Sequence, residues 1–252
     1  MKTDRWPNLL TDIRVAAVLL TRLPLPRLDD SAFSNGARAT WAYPLTGLVL
    51  GALAASFGYV ATALGLPAFV AAGIMLAVLM ISTGAMHEDG LADVADGFWG
   101  GYTRERRLEI MKDSQIGTFG TLALIVVTGL RWAGYALVLQ HSFAACIAAA
   151  VLSRAAMPAM MCALPHARSD GLSHSVGRPP VASAAIAAVL AVGLCLVPLG
   201  WSLIASTVAI LAVGTATGWL ARAKIGGQTG DVLGATQQIS EVAVLLAIAA
   251  TI

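Results

Sequence analysis

Charge is scarce in this chain. Asp, Glu, Lys and Arg make up 12% of its 252 residues, against about 25% in soluble domains. Hydrophobic residues make up 58%, and the mean hydropathy is +0.77. A water-soluble core cannot hide that much apolar surface, so a soluble globular domain is excluded and an integral membrane protein is expected. Cysteine is scarce too. Cys146, Cys162 and Cys195 all sit in apolar stretches, with no CxxC pair and no metal-ligand spacing, which excludes a thiolate metal site and leaves three small apolar residues. A cleavable signal peptide is not expected, because Asp4, Asp12 and Arg14 interrupt what would have to be its apolar region. The formal net charge of +2 gives no reason to expect nucleic acid as a partner.

What is present is a series of long apolar runs. A helix needs about 20 apolar residues to cross the hydrocarbon core. Residues 42–64, 66–86, 118–140, 143–163, 181–200 and 202–220 meet that length, and a seventh span is expected over 238–252. Between residues 8 and 24, Leu9, Ile13, Ala16, Ala17 and Leu20 recur at helical spacing, which suits a helix lying in the membrane interface better than one crossing it. The connecting segments divide sharply. Segments 64–66, 140–142 and 200–202 contain no Lys, Arg, Asp or Glu, whereas 1–41, 87–117, 164–180 and 221–237 contain nearly all of them. Basic residues collect on the cytoplasmic side, so every charged segment is expected there, with the N-terminus inside. The fold expected is an all-α polytopic bundle of six to seven membrane helices plus an interfacial one, forming one domain over residues 1–252. The bilayer is its first partner. A homo-oligomer is compatible with this pattern.

The densest charge lies in "HEDGLADVADGFWGG", residues 87–101, where Glu88, Asp89, Asp93 and Asp96 follow an apolar run. On a helix, positions 89, 93 and 96 fall within roughly 60° of one another. Three carboxylates then share one face. Without a cation this is unfavourable; with Mg²⁺ or Mn²⁺ it is a hard-cation site built from oxygen ligands. Glu88 lies about 100° away and is left out of that set. His87 borders the cluster and stands as a candidate catalytic group, with a structural role as the alternative. Glycines in the stretch are expected to admit a close backbone or ligand and to end the helix soon after Asp96.

Two further stretches point to the same face. In "YTRERRLEIMKDSQIGTFG", residues 102–120, the arginines suit topology setting and local ion pairs. Lys112 and Asp113 stand where the chain re-enters the membrane, as a candidate phosphate holder and a candidate ligand to a metal or hydroxyl. In "AKIGGQTGDVLGA", residues 223–235, Gly227, Gln228 and Thr229 suit a polar ligand, and Asp231 adds a carboxylate from another helix. Arg22 sits at a membrane edge, as a candidate substrate-binding group or an interface anchor. Arg131 and Arg154 fall inside spans, where arginine is costly and marks a functional position. Arg154 is the one expected to reach a polar cavity, and Arg131 is expected to snorkel towards the outer end. A carboxylate cluster with a metal, a lysine and a glycine-rich loop at one membrane face suit a reaction on a diphosphate, in which a hydroxyl displaces a nucleotide leaving group.

"HEDGLADVADG", "LEIMKDSQIGTFG" and "GGQTGDVLGA", in that order between apolar spans, resemble cobalamin synthase, the membrane-bound adenosylcobinamide-GDP ribazoletransferase family. "TRLPLP" and "YPLTGLVLG" resemble it as well, and the likeness covers nearly the whole chain. The resemblance implies a Mg²⁺-dependent transferase that joins adenosylcobinamide-GDP to α-ribazole, or its 5′-phosphate, and releases GMP. By the same resemblance Asp89, Asp93 and Asp96 take the acidic-motif positions, Lys112 and Asp113 the KDS positions, and Gln228, Thr229 and Asp231 the final motif. Glu88 departs from the family, which usually has an apolar residue there. A CDP-alcohol phosphotransferase is the nearest rival, but Ala92-Asp93 stands where its pattern needs Ala-Arg. A prenyltransferase shares the Asp-rich chemistry. A cation or proton transporter would need charges near the midplane and paired repeats.

Overall fold

The structure, a computed structural model, describes residues 9–252. The first eight residues, expected on the charged side, lie outside the described residues. The described part is helical without a β-strand. The helices, in chain order, are α1 (Leu9–Leu20), the short α2 (Asp30–Phe33) and α3 (Gly36–Ala39), then α4 (Tyr43–Ala63), α5 (Ala68–Thr83), α6 (Met86–Gly100) and α7 (Arg104–Ile110). There follow α8 (Thr118–Val138), α9 (Phe143–Ala163), the short α10 (Leu172–Val176), α11 (Val181–Leu199), α12 (Ser202–Ile225) and α13 (Gly230–Ala249). Among the described residues six helices are long and apolar enough to cross a membrane, or seven if α5 and α6 form one broken span. The chain is a multi-pass membrane protein.

The helices begin and end where local chemistry dictates. Ser142, Thr103 and Thr229 each accept a hydrogen bond from a first-turn amide, capping α9, α7 and α13. Helices α9 and α13 form the centre: α9 packs on α4, α11 and α13, while α13 also packs on α6, α8 and α12. The small residues Ala148, Ala149 and Ala150 let α9 take neighbours on several sides, because without a hydrophobic drive between helices in lipid, close backbone packing holds them together. Outer helices turn Ile125, Val189, Val197 and Leu211 outward, as a lipid-facing surface requires. One buried apolar cluster, with Leu50, Met75, Val151 and Leu245, fills the half next to the bare turns. Another, with Leu20, Tyr43, Phe98, Met161 and Ile225, fills the half under the charged segments.

Three boundaries differ from expectation. The single span at 66–86 is instead α5, which stops at Thr83 and turns through 88° into α6. Gly84 at φ +66 and Ala85 at φ 55 make the turn; two successive left-handed residues reverse the helical course, and the second has a Cβ, so the bend stores strain. The acidic helix therefore starts at Met86 and runs to Gly100, through its glycines. The last helix starts at Gly230, not near 238, because the polar residues in its first half are buried against partners that hydropathy does not register. In α1, Val15, Ala16 and Leu20 are buried and so is Asp12, which accepts from Arg38 Nη2 at 2.8 Å and from Trp41 Nε1 at 3.1 Å. That bond fastens α1 to the start of the long helix formed by Gly36–Ala63.

Candidate active site

The bend sends α6 back along α8 and across α13, and this crossing builds the site. At Gly90 an added Cβ would lie 2.9 Å from both the Cα and the carbonyl oxygen of Asp231. Only glycine lets the two backbones approach so closely, and the contact brings Asp231 to the acidic face of α6. Gly90→Val is expected to cost about 1–3 kcal/mol by overpacking, because backbone cannot step aside. A thermal midpoint equal to wild type would show that the helices are not held this close.

The carboxylates of α6 carry three different tasks. Asp89 and Asp93 have no side-chain hydrogen bond or ion pair among the described residues, and Asp231, Asp89 and Asp96 are the charged neighbours of Asp93, with Arg168 opposing them. Asp96, expected to act with them as a metal ligand, is otherwise engaged. Its Oδ2 accepts from Gly117 N at 2.7 Å and its Oδ1 from Gly120 N at 2.9 Å, so it caps the start of α8, where unpaired amides and the positive end of the helix dipole favour a carboxylate. Glu88, on another face, is buried and accepts from Arg131 Nη1 at 2.7 Å and Gln238 Nε2 at 3.0 Å.

Arg131 corrects an expectation. It does not snorkel to the bare end: it is 2% exposed and donates to Glu241 Oε1 from Nε at 3.0 Å and from Nη2 at 2.9 Å. Tyr135 donates to the same oxygen at 2.8 Å, and Gln237 donates to Oε2 at 2.6 Å. Arg154, expected at a polar cavity, is buried in the same cluster, 3.9 Å from Glu241 and bonded to the Ala150 carbonyl at 3.1 Å. Two guanidinium groups thus balance two carboxylates inside the bundle. His87 is buried next to this cluster, and its Nε2 has no hydrogen-bond partner among the described residues.

The glycine-rich loop is zipped to the segment before α10. Gln228 N donates to the Pro165 carbonyl at 2.8 Å, and Ala167 N to the Gln228 carbonyl at 2.9 Å. Gly227 packs against Pro165 in this pairing. The Gln228 side chain bonds His166 Nδ1 at 2.9 Å and accepts from Ser173 Oγ at 2.6 Å. Thr229 caps α13 and donates from Oγ1 to Asp231 Oδ2 at 3.1 Å. Arg168 stands 3.4 Å from Asp231 Oδ2 and 3.4 Å from Asp170 Oδ1. Lys112 reaches across to Asp170, and this bond holds the Asp170 carboxyl below the usual carboxylate range. Asp113 accepts from Gln115 N at 3.1 Å in a local turn. Burial, with His174 and Arg178 nearby, lowers the His166 pKa, which favours its neutral form.

Two pockets flank α6. A wide one of about 470 Å³ is lined by Asp89, Asp93, Lys112 and Asp113. A second of about 190 Å³ lies between α1, α4, α6, α9 and α13, lined by His87, Asp89, Arg168 and Asp231 over an apolar wall. Arg22 lines neither: its N–H bonds the Ser82 carbonyl at 2.7 Å and its side chain covers Gly84 at the bend. Arg154 also lines neither.

The protein-family model of cobalamin-5-phosphate synthase matches residues 12–249. The chain belongs to this family. All the site segments above lie inside the matched range. The chain is similar to the adenosylcobinamide-GDP ribazoletransferase of Bradyrhizobium diazoefficiens, 46% identical over 254 residues, covering 98% of this chain and 96% of the relative. It is similar to the protein of the same name in Mesorhizobium japonicum, 43% identical over 95% of this chain and 93% of the relative. The Brucella anthropi protein of that name is 42% identical over 94% of this chain and 96% of the relative. No solved structure matches. As a member of this family the chain is a transferase of cobalamin biosynthesis.

The arrangement in this chain includes residues that the motifs did not single out. Arg168, Ser173 and His166 come from "HARSDGLSHS", where an arginine and two histidines between apolar spans were the available signal. Arg104 and Arg107 are a second case. They donate to the carbonyls of Ile225 and Lys224 at 2.9 and 3.0 Å, tying α7 to the end of α12, where cations are favoured by the unpaired carbonyls. The donor chemistry of the acidic face suits a hard divalent cation: Asp89 and Asp93 have free carboxylate oxygens, and Asp231 stands across from them. Among the described residues no three His, Cys, Asp or Glu side chains stand ready as a ligand set. The fit is one of donor type and not of preset coordination.

Proposed function

We propose that the chain joins adenosylcobinamide-GDP to α-ribazole, or to α-ribazole 5′-phosphate, and releases GMP. The observation that carries this reading is the group of unpartnered carboxylates, Asp89 and Asp93, between two pockets that also present Lys112 and Arg168. A diphosphate brings negative charge that needs cations on every side. Asp89, Asp93 and Asp231 would hold Mg²⁺, which supplies charge neutralisation at the phosphate oxygens when bound. Lys112 offers an ammonium to the diphosphate from the rim of the wide pocket. A ribazole hydroxyl forms a new bond to the phosphorus nearer the cobinamide, and the bond from that phosphorus to the bridging oxygen breaks. The guanylyl half departs as GMP, and the hydroxyl proton passes to an acceptor carboxylate of the site. The test is GMP release by the purified protein in detergent. It should require both substrates and fall to background when either is withheld. GMP formed from adenosylcobinamide-GDP without the acceptor would point to a hydrolase instead.

The charged face belongs on the cytoplasmic side of the inner membrane, with the N-terminus inside, since Lys and Arg crowd the segments there. Single cysteines at Thr103 and Gln140, in a background with Cys162→Ser, test this in intact cells. Gln140→Cys should react with an impermeant maleimide from outside, and Thr103→Cys only after lysis. The opposite pattern would invert the topology.

A further inference from the structure

The smaller pocket has features that the acidic face does not explain. Its wall is apolar, made by Leu20, Met157, Met161, Val176 and Leu233. Its polar end carries two buried atoms without partners among the described residues, His87 Nε2 and Arg168 Nη1. A buried donor or acceptor left unpaired costs about 1–3 kcal/mol, so a protein that keeps two at one pocket has a use for them. His87 is 1% exposed and is one of the residues that line this pocket. Arg168 lies 3.4 Å from Asp231 and 3.4 Å from Asp170, yet its Nη1 still requires an acceptor. The occupant therefore carries oxygen acceptors at one end and an apolar body at the other.

Size and position narrow the occupant further. A volume of about 190 Å³ equals roughly six water molecules at about 30 Å³ each. That suits a flat base with part of its sugar. The pocket also adjoins the diphosphate side. Of all residues lining the two pockets, Asp89 alone lines both. A hydroxyl held here beside Asp89 faces the wide pocket, where Lys112 and Asp93 stand. A transfer between two substrates needs this adjacency, because nucleophile and phosphorus must meet in one geometry.

We infer that this pocket is the acceptor subsite: it takes a ribonucleoside with its base on the Met157–Met161–Val176 wall and its ribose or phosphate oxygens on Arg168 and His87. The inference rests on the transferase reading above. Under it, α6 is a partition with the acceptor on one side, the nucleotide-activated donor on the other, and Asp89 at the opening between them.

Equilibrium binding of α-ribazole to the full-length detergent-solubilised protein, without donor, tests it together with steady-state kinetics. Val176→Trp and Leu172→Trp fill the pocket from the half-buried and exposed helix α10. Each should weaken α-ribazole binding at least ten-fold and raise its KM equally, with the KM for adenosylcobinamide-GDP within about two-fold of wild type. Arg168→Gln should weaken acceptor binding as well. A larger loss for α-ribazole 5′-phosphate than for α-ribazole places the phosphate on the guanidinium, and an equal loss places the ribose there. Unchanged α-ribazole binding in both tryptophan variants, or a loss of donor binding in its place, would overturn the assignment. If wild-type protein makes no GMP from the two substrates, the transferase reading itself fails. If wild type turns over and the tryptophan variants match it, only the subsite assignment fails.

Discussion

Asp93→Asn should reduce GMP release by about 1,000-fold or more while the protein inserts and melts normally. Among the described residues the carboxylate makes no hydrogen bond or ion pair, so the amide removes no structural contact seen there. It also removes one of several crowded negative charges. The thermal midpoint should stay level or rise, since substitutions away from structural contacts lie within about ±0.5 kcal/mol. Activity has no such tolerance. Charge neutralisation by a metal is worth several kcal/mol in a transition state, and each 1.36 kcal/mol is about ten-fold in rate. Asp96→Asn should behave in the opposite way. It weakens the bonds to Gly117 and Gly120 and so loosens the start of α8. Its loss should appear first in the melting temperature. Near-normal turnover in Asp93→Asn would remove that residue from the metal site, and a silent melting curve for Asp96→Asn would remove its capping role.

Glu241→Ala should be the most destabilising single substitution in the bundle. It leaves Arg131 and Arg154, both buried, without their shared carboxylate. Removing one partner of a buried ion pair costs about 3–5 kcal/mol. For a chain of this size that is roughly 6–20 °C in Tm. The double variant Arg131→Met with Glu241→Gln restores charge balance, leaving Glu88 opposite Arg154. It should regain much of the loss. If Glu241→Ala melts with wild type, the arginines have another counter-charge and the cluster is not the brace described here. The cluster joins α6, α8, α9 and α13, so it holds the acidic helix against the rest of the bundle. It accounts for Glu88: its carboxylate answers Arg131 and takes no part in the acidic face.

Much of this protein is legible in its sequence because lipid leaves a chain little choice. Backbone in hydrocarbon must be helical, so apolar length alone located α4, α8, α9, α11 and α12 to within a few residues. Charge is too costly within the hydrocarbon to be scattered along the spans, so its placement sorted the connecting segments into two ends. Helical spacing set Asp89 and Asp93 on one face apart from Glu88, and the ordered motifs identified the family. Tertiary structure decided the rest, since it depends on pairs distant along the chain. Arg131 meets Glu88 across 43 positions and Glu241 across 110, and no local pattern distinguishes such a buried pair from a snorkelling arginine. The same pairing hid the start of α13, whose Gln237, Gln238 and Glu241 read as too polar for a membrane until their partners are known. Asp96 shares a helical face with Asp89 and Asp93, but it caps α8, because the bend at Gly84 and Ala85 lays α6 along that helix. Spacing along one helix says which way a carboxylate points, and only the neighbouring helix says what it meets.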